Sequence, residues 1–419
     1  MSEKKLLKVQ GYLSWLCADT SAQLLGALRN FIIPLICLNL TGNPIYAGFI
    51  AAAGVLAEGI FDFIGGIHAD KWNRIKILVY SSIAGLLVTG SLFFFELFFE
   101  ISFAILLIAN IFMGARSGYS SSSSTAALVD IVPEERLGTA LSTNQTRDAS
   151  VSLTGGPLGG LLVSFGTIFV YSTLFILEII SLLSNILLRK KTFNKFLQPN
   201  PETSISSWNN ILIGFRWIFT TKGVSTTLIG SVIVSFSISA FMITNIYSMQ
   251  MQGENYQKIG LFSASLGAGM LIGSLASNYF INRFRPKIII SSSFLLILIQ
   301  IILNSLTESY YAHIISAFLI FFLVPSINVI LMSYLILLVP DDIIGRVNSA
   351  ASLINLGSSS LSPIFVGFIL YYVSRPLVLI WCFILILIAT IFTMKNIHLM
   401  GMPCQKDWAK YLASLPPST

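Results

Sequence analysis

Residues 66–76 read Gly66-Ile-His-Ala-Asp70-Lys-Trp-Asn-Arg74-Ile-Lys76. The segment is short and charged, and it lies between two long apolar runs, 45–67 and 76–98. A helix needs about 20 apolar residues to cross a bilayer, and each run meets that length. The segment therefore reads as a loop at one membrane face joining two spanning helices.

Working outward from it, ten more apolar stretches follow the same rule: 11–38, 101–129, 139–165, 167–188, 224–249, 258–280, 287–306, 311–339, 345–373 and 377–395. Helices are the natural way to satisfy backbone polar groups in lipid. Hydrophobic residues make up 55% of the chain and charged residues 10%, against about 25% charged for a soluble domain. The first stretch follows Lys4, Lys5 and Lys8, as a signal peptide would. It is too long for a signal core and has no small-residue cleavage site, so it reads as the first span.

The net charge of +7 does not mark a nucleic-acid partner, because of where the bases fall. Of the Lys and Arg residues, only Lys258 and Arg375 fall in loops on the far side, and only Arg29, Arg116 and Arg147 within spans. The rest collect on the N-terminal side. This bias places both termini in the cytoplasm. The four cysteines, Cys17, Cys37, Cys382 and Cys404, have no redox or metal-ligand spacing, and the three histidines are scattered. No metal, cofactor or catalytic constellation is expected, and the chain reads as a non-enzyme.

The halves repeat at one fixed offset. Gly66 maps to Gly273, Val132-Pro-Glu-Glu135 to Val339-Pro-Asp-Asp342, Gly138 to Gly345 and Gly160 to Gly367. The expected organisation is a six-helix bundle (1–188), a linker with an amphipathic helix (189–222), a second six-helix bundle (223–395) and a cytoplasmic tail (396–419). In the linker, Trp208, Ile211, Leu212, Phe215, Ile218 and Phe219 recur at helical spacing, which reads as an interfacial anchor.

The 66–76 loop resembles the loop between the second and third helices of major facilitator superfamily transporters. Gly66, Ala69, Asp70, Lys71, Arg74 and Lys76 fill the family positions, and Asn73 stands where glycine is usual. The loops at 132 and 339 resemble the drug:proton antiporter branch that includes macrolide efflux proteins and a siderophore exporter. The fold so implied is all-α and integral to the membrane, with twelve transmembrane helices in two bundles and the substrate site between parallel repeats. The resemblance also implies a conformational latch at Gly66, Asp70, Arg74 and Lys76, in which the aspartate braces the two halves near the start of the eleventh span at Gly345.

In the fifth span, Gly155-Gly-Pro157-Leu-Gly159-Gly resembles the antiporter glycine-proline motif, with the proline one place late. Its repeat carries Pro363 at the family position. Gly155, Pro157, Gly159 and Pro363 read as a hinge with tight helix packing, and the motif implies export.

Ionisable residues inside spans are costly in lipid, and the deep ones lie in the first half: Asp19, Arg29, Glu58, Asp62, Arg116 and Glu178. At about 1.5 Å per residue, Arg29, Glu58 and Arg116 lie roughly 15–22 Å below the outer helix ends, near the middle of a core about 30 Å thick. Glu58 and Asp62, four apart, share a helix face. Two readings stand side by side. Arg29 or Arg116 pairs with Glu58 merely to neutralise a buried charge, or that pair is a proton switch. An apolar site favours the neutral carboxyl and a nearby guanidinium the charged one, so parting the pair would move a proton. Glu58 is the first candidate carrier, with Asp62 and Asp19 behind it. The serine run 120–124 after Arg116 reads as close helix packing or a polar lining.

The second half offers aromatic and amide residues. Phe241, Asn245, Phe322, Asn328 and Tyr334 are candidate cavity residues for a bulky amphipathic ligand. The whole reads as a monomeric bacterial cell-membrane exporter driven by proton entry. The partners expected are a small-molecule substrate, protons and lipid, with no nucleic acid. An exporter of a dedicated metabolite, peptide, siderophore or lipid is the alternative. A non-transporting sensor or scaffold is the rival from another class. No phosphate-cradling motif marks an ATP-driven pump.

Overall fold

The computed structural model describes residues 6–192, 207–307, 309–340, 343–405, 408 and 411. Twelve long helices are found there: α1 (Tyr12–Thr41), α2 (Pro44–Lys71), α3 (Arg74–Phe98), α4 (Phe103–Ile131), α5 (Glu134–Phe165), α6 (Thr167–Thr192), α7 (Lys222–Met251), α8 (Tyr256–Arg283), α9 (Pro286–Leu306), α10 (Tyr310–Leu338), α11 (Ile344–Tyr372) and α12 (Arg375–Lys395). A connecting helix, Ser207–Thr220, precedes α7, and a short helix, Ile397–Met400, follows α12.

Local chemistry sets the helix ends. Gly42 closes α1 at φ 62°, with its N–H on the Leu38 carbonyl. Asn43 then caps α2 by accepting from the Ile45 N–H, ahead of Pro44. Asn73, the departure from the usual glycine, caps α3 by accepting from the Lys76 N–H at 3.1 Å. Pro133 ends one helix and Glu134 and Glu135 occupy the first turn of the next, where acids suit the helix dipole.

Eleven of the twelve long helices are apolar enough to cross a membrane by length and hydropathy. The exception is α5, expected to span at 139–165. The helix forms there, but its first half holds Ser142, Thr143, Asn144, Gln145, Thr146, Arg147 and Asp148. Its polarity is met by α1, as described below.

The described residues fall into two compact units. The first comprises those within Met1–Ile205 together with Glu254–Gly260, and the second those within Ser206–Gly253 and Leu261–Thr419. Within unit 1, α2 and α4 approach backbone to backbone. A Cβ at Gly118 would collide with the Glu58 carbonyl oxygen, and one at Gly114 with the Gly54 carbonyl. Within unit 2 the α8–α10 pair also approaches closely, but there the glycines are on α8, the counterpart of α2: Gly269 and Gly273 lie against the backbone of Phe318 and Phe322.

The linker residues 193–206 lie outside the described residues, as does most of the tail beyond 405. The described start of the tail folds onto unit 2: Asn396 donates to the Gly223 carbonyl and to Thr227 Oγ1 (both 2.9 Å), and Leu399 and Met402 are buried. In the connecting helix, Gly214 sits against the Arg346 backbone of α11, and Ile218 is buried in an apolar cluster with Val224, Leu335 and Val347. Leu212, Ile213 and Phe219 remain exposed. The helix thus docks on α11 by one face, while a second apolar face stays open.

Gly118→Val is expected to prevent stable folding, because overpacking costs roughly 1–3 kcal/mol even when neighbours can give, and here the neighbour is backbone. Gly138, with open space around its Cβ position, should tolerate alanine. Thermal unfolding of the two purified variants in detergent tests the contrast.

Candidate functional site

Unit 1 holds two apolar clusters. One is built on Leu25, Leu28, Ile32, Leu106, Met113, Val170 and Leu174, and the other on Tyr12, Trp15, Ile75, Leu78, Ala127, Leu128 and Leu188. Between these positions along α1, α3, α4 and α6 runs a polar layer that contains Asp19, Arg116 and Glu178.

Glu58 of α2 meets Arg29 of α1 at 2.5 Å. Arg29 is fully buried, whereas the Glu58 side chain is 35% exposed. Arg29 also donates to Asn30 Oδ1 at 2.8 Å. The other Glu58 oxygen accepts from Ser117 at 3.1 Å. Of the two partners proposed from sequence, Arg29 is the one that reaches Glu58.

Arg116 does not. It pairs with Glu178 of α6 at 2.8 Å, both side chains buried, and its Nε donates to the Ser81 carbonyl at 3.3 Å. Successive residues on a helix point about 100° apart, so Ser117 turns to α2 and Arg116 to α3 and α6. Gly85 of α3 makes the room: a Cβ there would run into the Glu178 carboxylate and Arg116 Nε.

Asp19 of α1 is held by Arg147 of α5 and accepts from Ser124 of α4. Arg147 also pairs with Asp148 at 2.6 Å and lies over the Trp15 ring, 5.6 Å from its centroid. The indole N–H of Trp15 donates to Ser124. Sequence reading placed Arg147 in a span but gave it no partner. The one signal was a base facing an apolar bundle that also held an unassigned acid. Asp62 accepts from Ser122 at 2.9 Å.

A cavity of about 140 Å³ opens in this layer, lined by Asp19, Gln23, Glu58, Arg116, Asn185 and the serines of α4, among others. The serine run thus does more than pack helices.

Among the latch residues, Arg74 pairs with Asp130 at the end of α4 (2.5 Å) and donates to the Ala69 carbonyl (3.2 Å), tying three helix ends within unit 1. Gly66 lies near Ser122, and the Lys76 side chain is exposed. The Asp70 side chain lies outside the described residues. In the hinge motif, Gly155 and Gly159 let α5 close on Ala27, Phe31 and Ile32 of α1, and Pro157 and Pro363 both lie inside continuous helices.

Unit 2 has a cavity of about 370 Å³ lined by Asn328, Met332, Asn348, Ser352, Asn355, Ser231 and Ser235, with no charged residue among the described residues of its lining. Asn328 is the one of the five sequence-proposed cavity residues found there. Phe241, Asn245 and Tyr334 are packed inside the unit. Asn245 donates to the Phe241 carbonyl and accepts from Arg375, and the Tyr334 hydroxyl contacts Asn396. Phe322 stacks on Phe318 and meets Phe280 edge to face where α8 meets α10. Arg375 and Asn396, which meet Asn245 Oδ1 and the Tyr334 hydroxyl, lie far away in sequence, and the linear pattern does not reveal them.

The profile of the Major Facilitator Superfamily matches residues 20–363, and the chain belongs to that superfamily. Its long apolar helices make it a multi-pass membrane protein, and the superfamily is one of transporters, not an enzyme class. The multi-drug resistance efflux pump PmrA of Streptococcus pneumoniae is 31% identical over 142 residues, 33% of this chain and 34% of that protein. The PmrA homolog of Lactococcus lactis subsp. lactis is 27% identical over 274 residues, 62% of this chain and 64% of that protein. The chain thus spans about a third to just under two thirds of these relatives. Two solved structures share the fold. The bacterial homolog of the human lysosomal transporter Spinster has a TM-score of 0.65 at 13% identity, with 96% of this chain and 98% of that chain covered. The xylose transporter XylE from E. coli has a TM-score of 0.67 at 15% identity, with 96% and 99% covered.

Breaking a buried ion pair by removing one partner costs about 3–5 kcal/mol, whereas replacing both with apolar groups is often neutral. Arg116→Leu or Glu178→Leu alone should therefore lower the unfolding midpoint sharply, and the double variant should recover most of the loss. A thermal-shift double-mutant cycle measures this.

Proposed function

We propose that this chain is a proton-coupled exporter of bulky amphipathic or hydrophobic small molecules, macrolide-like drugs among them. It works by alternating access, as a monomer in the cell membrane with both termini cytoplasmic. The observation that carries the reading is the asymmetry of the Arg29–Glu58 pair. Its base is sealed and its acid is one-third exposed, so Glu58 is the deep paired acid most open to a proton. Glu178 and Asp19 are far more enclosed.

Protonation of Glu58 removes its charge and releases Arg29, which keeps Asn30 Oδ1 as an acceptor. A motion that parts α1 from α2 favours proton uptake, and their reunion favours release. Asp62 and Asp19 are secondary carriers in this scheme. The neutral unit 2 cavity, with Asn328 in its wall, suits an uncharged amphipathic ligand. The loop at 66–76 acts as the latch through Asp70, and Gly155, Pro157, Gly159 and Pro363 let helices rock against one another. The names of the pneumococcal and lactococcal relatives support drug efflux.

The test is accumulation of a labelled compound panel, macrolides included, in efflux-deficient bacteria. Cells expressing the wild type should accumulate less of at least one compound, and a protonophore or Glu58→Gln should abolish the difference. An unchanged accumulation for every compound, with protein in the membrane, rejects drug efflux. A narrow profile limited to one metabolite class favours the dedicated exporter.

A further inference from the structure

We infer that the serine face of α4 is a proton path joining Glu58 to Asp19, with Arg147 as the group that closes its far end. The inference rests on the proton-coupled reading of Glu58 and adds a route for the proton.

Ser117, Ser120, Ser121 and Ser124 fall at i, i+3, i+4 and i+7, one face of a helix. The two ends of the series aim at carboxylates on other helices: Ser117 donates to Glu58 and Ser124 to Asp19. Serines placed only for close packing need not do this, and Ser120, which donates to the Ser117 carbonyl, shows the ordinary alternative.

Seven residues of helix rise about 10.5 Å. Hydroxyl or water oxygens spaced at about 2.8 Å would cross that distance in roughly four steps. The cavity of about 140 Å³ is lined by both acids and all four serines, and a water occupies about 30 Å³ at liquid density. Two residues of its lining, Asn185 and Arg116, each keep a buried polar atom without a hydrogen-bond partner, Oδ1 and Nη1.

The charged groups at each end are matched. Glu58 faces Arg29, and Asp19 faces Arg147. Arg116 in the wall is neutralised by Glu178. Arg147 already holds a second acid, Asp148, so it can leave Asp19 without being stranded.

The transfer balances. The Glu58 carboxyl gives its proton to the first water or hydroxyl, and each carrier accepts one proton and passes one on. The Asp19 carboxylate takes the last as Arg147 shifts to Asp148. Glu58, charged again, re-forms its pair with Arg29.

The experiment follows the infrared carboxyl band of Glu58 in the full-length protein in liposomes, protonated beforehand at low pH, after a rapid jump to higher pH, with Glu58→Gln assigning the band. In Ser117→Ala/Ser124→Ala and in Asp19→Asn, loss of the protonated band should slow about tenfold or more, the loss of one hydrogen bond to a charged group expressed as a rate. The Ser117→Thr/Ser124→Thr variant, which keeps the hydroxyls, should restore it. An unchanged rate in the alanine and asparagine variants overturns the path while leaving Glu58 as carrier. Slowing that threonine does not repair overturns it as a packing effect. A wild-type Glu58 band that does not titrate removes the coupling reading, and the path with it.

Discussion

Charge buried in a helix bundle must be paired, because an isolated ion in a low-dielectric interior is too costly to keep. Three pairs meet that demand in unit 1: Arg29 with Glu58, Arg116 with Glu178, and Arg147 with Asp19. Each joins two different helices, so together they bind α1, α2, α4, α5 and α6 into one polar layer. The close approach of α2 and α4, the missing side chain at Gly85 and the polar first half of α5 all serve this layer. The last point explains why a helix too polar to be read as a span still belongs in the bundle.

The three pairs are not alike. Arg116 and Glu178 are both buried, which suits a fixed strut. Arg29 is sealed but Glu58 is not, and Arg147 shares itself between two acids. Arg147 has a second acid in reach, whereas Arg29, were Glu58 neutral, would keep only the uncharged Asn30 Oδ1 as acceptor.

Unit 2 follows another rule. Its interior is tied by amides and hydroxyls, as where Asn396 gathers Thr227, Tyr334 and the Gly223 carbonyl. Arg375, read from the sequence as an outer-loop base, turns its guanidinium onto Asn304 Oδ1 at 2.7 Å. The cavity there is lined by neutral groups. Among the described residues the two cavities therefore differ in chemistry, with charged groups in the lining of the first and neutral ones in the second.

Much of this was legible along the chain, because it is short-range. Apolar run length, Asn43-Pro44, the Val132-Pro133 and Val339-Pro340 breaks and the spaced glycines depend on neighbours within a few residues, and they marked the helices and the repeat. The list of deep charges was legible too, since hydropathy alone makes Glu58 or Arg116 conspicuous. Their pairing was not. Arg116 and Ser117 are adjacent in sequence yet face different helices, and which neighbour each meets depends on helix rotation and close packing. Asp19 and Arg147 lie too far apart in sequence for any local pattern to join them. Phe241, Asn245 and Tyr334 had the composition of a cavity wall and became core, with Asn245 Oδ1 met by Arg375 and the Tyr334 hydroxyl by Asn396. The sequence by itself determined the elements and the inventory of charge. The tertiary structure decided which charges meet, because partner choice is a property of the packed bundle and not of any one helix.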